Sequence, residues 1–192
     1  MEDVIDFKAV DSYGMNCVML ACYEGDLDRL KYLMEKGGSL DVVDNDGKSC
    51  LHLACLQQHF DIVKYLLDEG MDVNMLNKYN YTALHTACYE KPKLSMLKIL
   101  LNAGADTNAR NTFKDTPFMY LCVEGDKEAL KLMLDAGSDW RLKDKNGETG
   151  LDNARRYKNK EVVEWLEEYI NKLELSIERC KTATINVLCV GK

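Results

Sequence analysis

The side chains with the most chemistry within reach are eight cysteines and three histidines. Cys17/Cys22 and Cys50/Cys55 each sit five residues apart, a spacing that could serve a thiol redox pair or part of a metal site if the sulfurs converged. No CxxC and no Cys/His ligand spacing accompanies them, and reduced cysteine also serves as a small apolar packing residue. His52 and His85 each follow a hydroxyl residue, Ser49 and Thr82, by three positions, and His59 stands apart from both. No nucleophile is paired with any of them. A paired-carboxylate motif, a Ser/His/Asp arrangement and the phosphate loop G-x-x-x-x-G-K-[ST] are all missing from the sequence. These residues therefore read as non-catalytic, with no metal and no cofactor expected; a thiol redox or metal protein is the alternative that exposed, reactive cysteines would support.

Their spacing carries more than their identity does. Cys22, Cys55, Cys88 and Cys122 recur every 33 or 34 residues. The same shift lays Gly14 over Gly47, Ala54 over Ala87, Leu121 over Ala154, and Gly37, Gly70, Gly104 and Gly137 over one another. Self-similarity at a fixed period of this length predicts stacked units, each in contact with its neighbours only. A column of small side chains is what adjacent helices need where they approach closely, and the cysteine column supplies one.

The best-formed unit runs from Asp44 to Asn74. Asp44-Asn45-Asp46-Gly47 is a turn, in which the aspartate can bond its own backbone. Ser49 stands at a helix N-cap, with Thr82, Thr116 and Thr149 as its counterparts, and Pro117 takes a first helical position where a missing N–H costs nothing. A short helix follows. Ile62, Val63, Leu66 and Leu67 then mark the buried stripe of a second helix, which ends near Gly70.

Cys50-Leu51-His52-Leu53-Ala54 and Thr82-Ala83-Leu84-His85-Thr86-Ala87 resemble the T-P-L-H-x-A signature of the ankyrin repeat, and Leu100 to Asn108 resembles its later L-L-x-x-G-A-D-x-N. The resemblance covers roughly residues 6–170. It implies an all-α solenoid of stacked helix pairs joined by β-hairpin or turn connections, and a protein-binding scaffold or adaptor rather than an enzyme. It also implies that the rings of His52 and His85 bond turn and cap groups. Expected boundaries are a partial hairpin at 1–10, repeats at 11–43, 44–76, 77–110, 111–143 and 144–168, and an extension over 169–192.

Several positions break the pattern. Gln58 replaces the inter-helix glycine found at Gly25 and Gly125, and Lys114 replaces the turn glycine, both at some cost if the backbone there is left-handed. Pro92 cannot lie inside a helix, so the extra residue near Glu90-Lys91-Pro92-Lys93 predicts a longer loop. Asp152 stands in the histidine position of the fifth repeat. There the terminating glycine is also lost: Val162, Leu166, Tyr169/Ile170, Leu173 and Ile177 continue an apolar stripe, which predicts one helix from about Lys160 to about Cys180. Its overhang is expected either to cap the last repeat or to make a dimer or inter-domain contact through residues 169–180. The closing Thr184 to Lys192, TINVLCVGK, resembles the first strand of a P-loop GTPase and is expected to be strand-like. On that resemblance the chain is alternatively a regulatory segment of a larger protein; nucleotide binding by the chain itself is not expected.

A net charge of −7, a pI near 5.1 and no Lys/Arg-rich block disfavour nucleic acid and anionic membranes as partners. The start, MEDVIDFKAV, has no signal-peptide character and no long apolar window occurs, which points to the cytoplasm, with the nucleus also open. The resemblance places partner binding on the hairpin tips and on the exposed face of the first helices. Here the tips carry Tyr13, Tyr79, Tyr81 and Phe113. The first helices carry Tyr23, Leu56 and Tyr89 in one column and Glu24, Glu90 and Glu124 in the next. Tyrosine offers large contact area with few rotors, so these ten residues predict a protein partner with an apolar anchor and a basic rim.

Overall fold

The computed structural model describes residues 5–89 and 92–189, with side chains described as far as Ser176. Among the described residues ten helices in five pairs follow one another: α1 (Cys17–Glu24) with α2 (Leu27–Glu35), α3 (Cys50–Leu56) with α4 (Phe60–Asp68), α5 (Ala83–Ala87) with α6 (Leu94–Asn102), α7 (Pro117–Glu124) with α8 (Lys127–Asp135), and α9 (Gly150–Arg156) with α10 (Lys160–Cys189). The first helices stack in sequence order, α1 on α3, α3 on α5, α5 on α7 and α7 on α9. The architecture is therefore an all-α solenoid.

One continuous core runs through the stack. Second helices contribute Leu30 and Leu33, Ile62 and Leu66, Leu97 and Leu100, Leu130 and Met133, and Val162 and Leu166, while first helices contribute the Ala21, Ala54, Ala87, Leu121 and Ala154 column beside the buried cysteines. Between units, the side chain of Asn74 donates to the Gly104 carbonyl at 3.1 Å and accepts from the Asp106 N–H at 2.8 Å. Asn108 repeats both bonds with Gly137 and Asp139. The last asparagine of the repeat signature is thus a staple to the next helix end, satisfying a carbonyl that the helix leaves open.

The tips are turns rather than strands. Among the described residues the only pairing of strand type is an isolated bridge between Val43 and Ser49. In each turn an Asp or Asn side chain accepts two backbone N–H groups, as Asp44 does from Asp46 and Lys48 at 2.9 and 2.8 Å. Asn77 and Asn111 do the same for Tyr79 and Tyr81 and for Phe113 and Asp115. Main-chain bonds then join tip to tip: Asn45 N–H to Tyr13, Lys78 to Asp46, Thr112 to Tyr79 and Lys145 to Phe113. This ladder explains how Asn80 and Lys114 hold the turn conformation at φ 59° and 62° without glycine, since bonds on both sides over-determine the backbone.

At the turn between paired helices, Gln58 does adopt the left-handed conformation, at φ 61°. Its counterpart Gly25 is a glycine for a second reason: a Cβ there would meet the His59 ring of the next unit at 2.5 Å. His59 closes that contact by bonding the Tyr23 carbonyl through Nε2 at 3.0 Å.

The C-terminal expectation needs correction. The helix does not stop near Cys180 but spans 30 residues to Cys189, about 45 Å at ~1.5 Å per residue. Residues 184–189, expected to be strand-like, are helical, and residues 190–192 lie outside the described residues. A strand needs a neighbour for its backbone bonds, whereas a helix supplies its own; no strand stands beside this segment among the described residues. Near Pro92 the connection between α5 and α6 runs from Cys88 to Lys93, with residues 90 and 91 undescribed.

Candidate protein-interaction face

Tips and first helices form one side of the solenoid, and large apolar side chains stand exposed on it beside charged ones. Tyr13, Tyr23, Leu56, Tyr79, Tyr89 and Phe113 are all exposed, Tyr13 by 69% and Tyr89 by 52%. Glu24 is exposed and pairs with Arg29 at 2.9 Å; Glu124 is exposed on α7. Glu90 lies outside the described residues. The position after the buried cysteine places Tyr23, Leu56 and Val123, within α1, α3 and α7, and Tyr89, two residues past the end of α5, in a row across the stack, because each first helix starts from an equivalent cap.

Tyr81 differs from the other tip aromatics. It is half-buried, its ring stands edge-on to His85 with centroids 5.5 Å apart, and its hydroxyl lies 2.7 Å from that of Tyr120. Tyr120 is the residue that sequence reasoning passed over. Its oxygen accepts from Asn111 Nδ2 at 3.0 Å, its hydroxyl donates to Asp115 at 3.3 Å, and its ring meets Tyr89 edge-on. Burial, and then the Tyr81 hydroxyl, push the Tyr120 phenol above its ordinary range, and burial also raises the Asp115 carboxyl. The signal for Tyr120 was an aromatic in the signature helix where Leu20 and Leu53 stand in earlier units.

Two clefts open on this face. One, of ≈440 Å³, lies between the first two units and contains Tyr13, Tyr23, Glu24 and Leu56. The other, of ≈210 Å³, lies between the last two and contains Phe113, Tyr120, Lys145, Arg156 and Tyr157. The Lys145 ammonium sits 4.1 Å from the centroid of the Phe113 ring, a cation–π contact.

The histidines are structural. Ser49 N–H donates to His52 Nδ1 at 3.2 Å, so the ring is the Nε2–H tautomer and donates to the Tyr81 carbonyl of the next unit at 2.8 Å. His85 repeats this with Thr82 N–H and the Asp115 carbonyl, both at 3.2 Å. Desolvation lowers the pKa of both rings, that of His85 to about 4. Asp152 keeps the same bond to its cap: its carboxylate accepts from Thr149 N–H at 3.0 Å and from the Thr149 hydroxyl at 2.7 Å. Those bonds hold its carboxyl below the usual range.

Burial pushes the thiols of Cys55, Cys88 and Cys122 up, and a hydrogen bond with Cys50, ahead of burial, does so for Cys22. All five of these cysteines are buried, and Cys17 is partly so. A protonated, enclosed thiol is neither a nucleophile nor a metal ligand. Among the described residues no group of three or more His, Cys, Asp or Glu is gathered for a metal ion, and no helix is long and apolar enough to cross a membrane.

The family model for ankyrin repeats, described as three copies, matches residues 18–111 and 84–176. The chain belongs to the ankyrin-repeat family. Members of this family are generally protein–protein interaction modules and are typically not enzymes. A search of curated proteins found no match. In this ankyrin array the face just described is where tips and first helices meet solvent.

Proposed function

We propose that this ankyrin array is a non-enzymatic scaffold or adaptor of the cytoplasm that binds a protein partner along the hairpin tips and the exposed face of the first helices. The observation that carries the reading is the row of exposed aromatic and aliphatic side chains, Tyr13, Tyr23, Leu56, Tyr79, Tyr89 and Phe113, on a single face of the stack. Isolated exposed apolar residues are ordinary; six on one face, with acidic residues beside them, suit a partner with an apolar anchor and a basic rim. Tyr79 and Tyr89 are the anchors at the middle of that row, and Tyr81 supports them from below. Glu24, Glu90 and Glu124 act on association rate and salt dependence. The test is quantitative recovery of partners from native extract by wild type and by Tyr79→Ala/Tyr89→Ala, after both are shown to fold alike. Equal recovery at equal affinity would place the partner elsewhere.

A second contact is favoured by α10. Its 30 residues run far beyond the last unit, and Tyr169, Ile170 and Leu173 stay only partly buried, with Leu175 55% exposed. We propose residues 169–180 as the segment for a dimer or inter-domain contact, on the partly buried and exposed apolar side chains described as far as Leu175. Truncation after Glu168 should change mass in solution or stability; no change in either counts against it.

A further inference from the structure

The interaction face is not uniform in charge along its length. Residues 11–76 hold twelve Asp and Glu against five Lys and Arg, whereas residues 77–168 hold fifteen of each. The first cleft carries part of this asymmetry. Its apolar surface is Met15, Leu20, Leu53 and Leu56, its walls are Tyr13 and Tyr23, and four carboxylates line it with one cation. That cation, Lys48, is held by Asp46 at 2.9 Å. The acidic surface does not end at the cleft: beyond Glu24 a neighbouring depression is lined by Asp26, Asp28 and Asp61 with no cation among its lining residues. Asp26 caps α2 by accepting from Arg29 N–H, so this acidity is built into the helix start.

At the other end the acidic excess is gone. The second cleft carries Lys145 and Arg156 against Asp115 and Asp144, and the depression beside α10 is lined by Arg155, Lys158 and Lys160 with Glu164 as its one acid. A partner segment in the groove therefore meets a field that is acidic at repeats one and two and fades toward the last repeats, and such a gradient fixes orientation as well as speeding encounter.

An apolar bed, tyrosine faces and surrounding carboxylates together suit one kind of side chain. Lysine and arginine lay an aliphatic stem on apolar surface and keep a cation at its end, where carboxylates and aromatic faces attract it. Glu24 and Asp46 are each paired with one cation, Arg29 and Lys48, yet the four carboxylates outnumber the one cation lining the cleft, so a neutral aliphatic residue would forgo that attraction and an acidic one would be repelled. We propose that the cleft between the first two repeats receives a Lys or Arg side chain of the partner segment, so that the segment lies in the groove with its basic end at repeats one and two. This rests on the interaction-face reading above and adds direction and a charged anchor to it.

The test pans the full chain against a random peptide library, then measures the affinity of the strongest peptide for three proteins: wild type, Glu24→Gln/Asp46→Asn and Tyr79→Ala/Tyr89→Ala. The side chains of Glu24 and Asp46 make surface ion pairs, exposed for Glu24 and part-buried for Asp46, which contribute little to folding, and circular dichroism confirms that each variant folds. Enrichment of Lys and Arg is expected, with affinity falling about tenfold or more in the charge-neutralised variant and a weaker salt dependence remaining. Exchange of the peptide's basic anchor for norleucine should give a similar loss in wild type and little further loss in the variant. A peptide sensitive to the tyrosine variant but indifferent to the charge variant overturns the proposal and leaves the interaction face standing. A peptide indifferent to both overturns both, and one sensitive to charge alone supports the cleft while removing Tyr79 and Tyr89 from the site.

Discussion

The hydroxyls of Tyr81 and Tyr120 meet at 2.7 Å although the residues stand 39 positions apart, in adjacent repeats. Because the Tyr120 oxygen also accepts from Asn111 and its hydroxyl donates to Asp115, one phenol links two repeats and a turn. Tyr120→Phe keeps the ring and removes those bonds, so it should cost about 1–2 kcal/mol. Urea denaturation of the two proteins measures it; an unchanged midpoint would mean that water replaces the network.

Acid should weaken the stack through its histidines before it reaches the carboxylates. His52 and His85 accept a backbone N–H at Nδ1, so protonation breaks that bond, and both folded pKa values lie below the ordinary 6.5, His85 at about 4. A depressed histidine contributes stability that is present above the unfolded value and is lost as pH falls from there toward the folded one. His85 alone should lose about 2 kcal/mol between neutrality and about pH 5. Unfolding midpoints at these two pH values measure the slope, and His85→Gln should flatten it.

Two equivalent turns should answer oppositely to a change of side chain. Gln58 holds φ 61° and has a buried Oε1 without a hydrogen-bond partner among the described residues, so Gln58→Gly should raise stability by up to about 1 kcal/mol. Gly25→Ala adds a Cβ 2.5 Å from the His59 ring at φ 83°, and should lower stability. Thermal melts of both variants decide the pair; a fall for Gln58→Gly would show that the long side chain's packing outweighs its strain.

The sulfur chemistry is tested by access. Cys22, Cys50, Cys55, Cys88 and Cys122 are buried with no exposed surface, so a thiol reagent should reach them only at the rate of unfolding. Fast labelling of any of these five in the native protein, located by mass spectrometry, would revive the redox reading.

Where the fold was legible, a residue type answered to a local need. Ser49, Thr82 and Thr149 had to be caps because unpaired helix N–H groups require an acceptor, and the cysteine column had to be small because first helices touch. Lys114 hid its turn because its conformation is imposed by bonds from neighbouring tips, as when Thr112 N–H bonds the Tyr79 carbonyl. Helix α10 ran past its expected end because an apolar, β-branched run takes strand form only beside another strand. The partnership of Tyr81 with Tyr120 joins different positions of two repeats, so no single period exposes it. Read as a tip residue, Tyr81 looked equivalent to Tyr79; the structure separates them by burial.

That separation gives the sharpest expectation for the interaction face. Tyr79 and Tyr81 are two residues apart on one turn, yet Tyr79 is 50% exposed while Tyr81 is packed against His85 and Tyr120. Tyr81→Ala should cost roughly 2 kcal/mol of stability, because it removes two ring contacts and leaves the Tyr120 network short of a donor. Tyr79→Ala should change stability by no more than about 0.5 kcal/mol, and as a hot spot should weaken partner binding by ~2 kcal/mol or more. Measuring unfolding and binding on both variants separates the roles. If Tyr79→Ala leaves binding intact while Tyr81→Ala abolishes it without loss of stability, the packed tyrosine is the anchor, and the partner must reach beneath the tip rather than rest upon it.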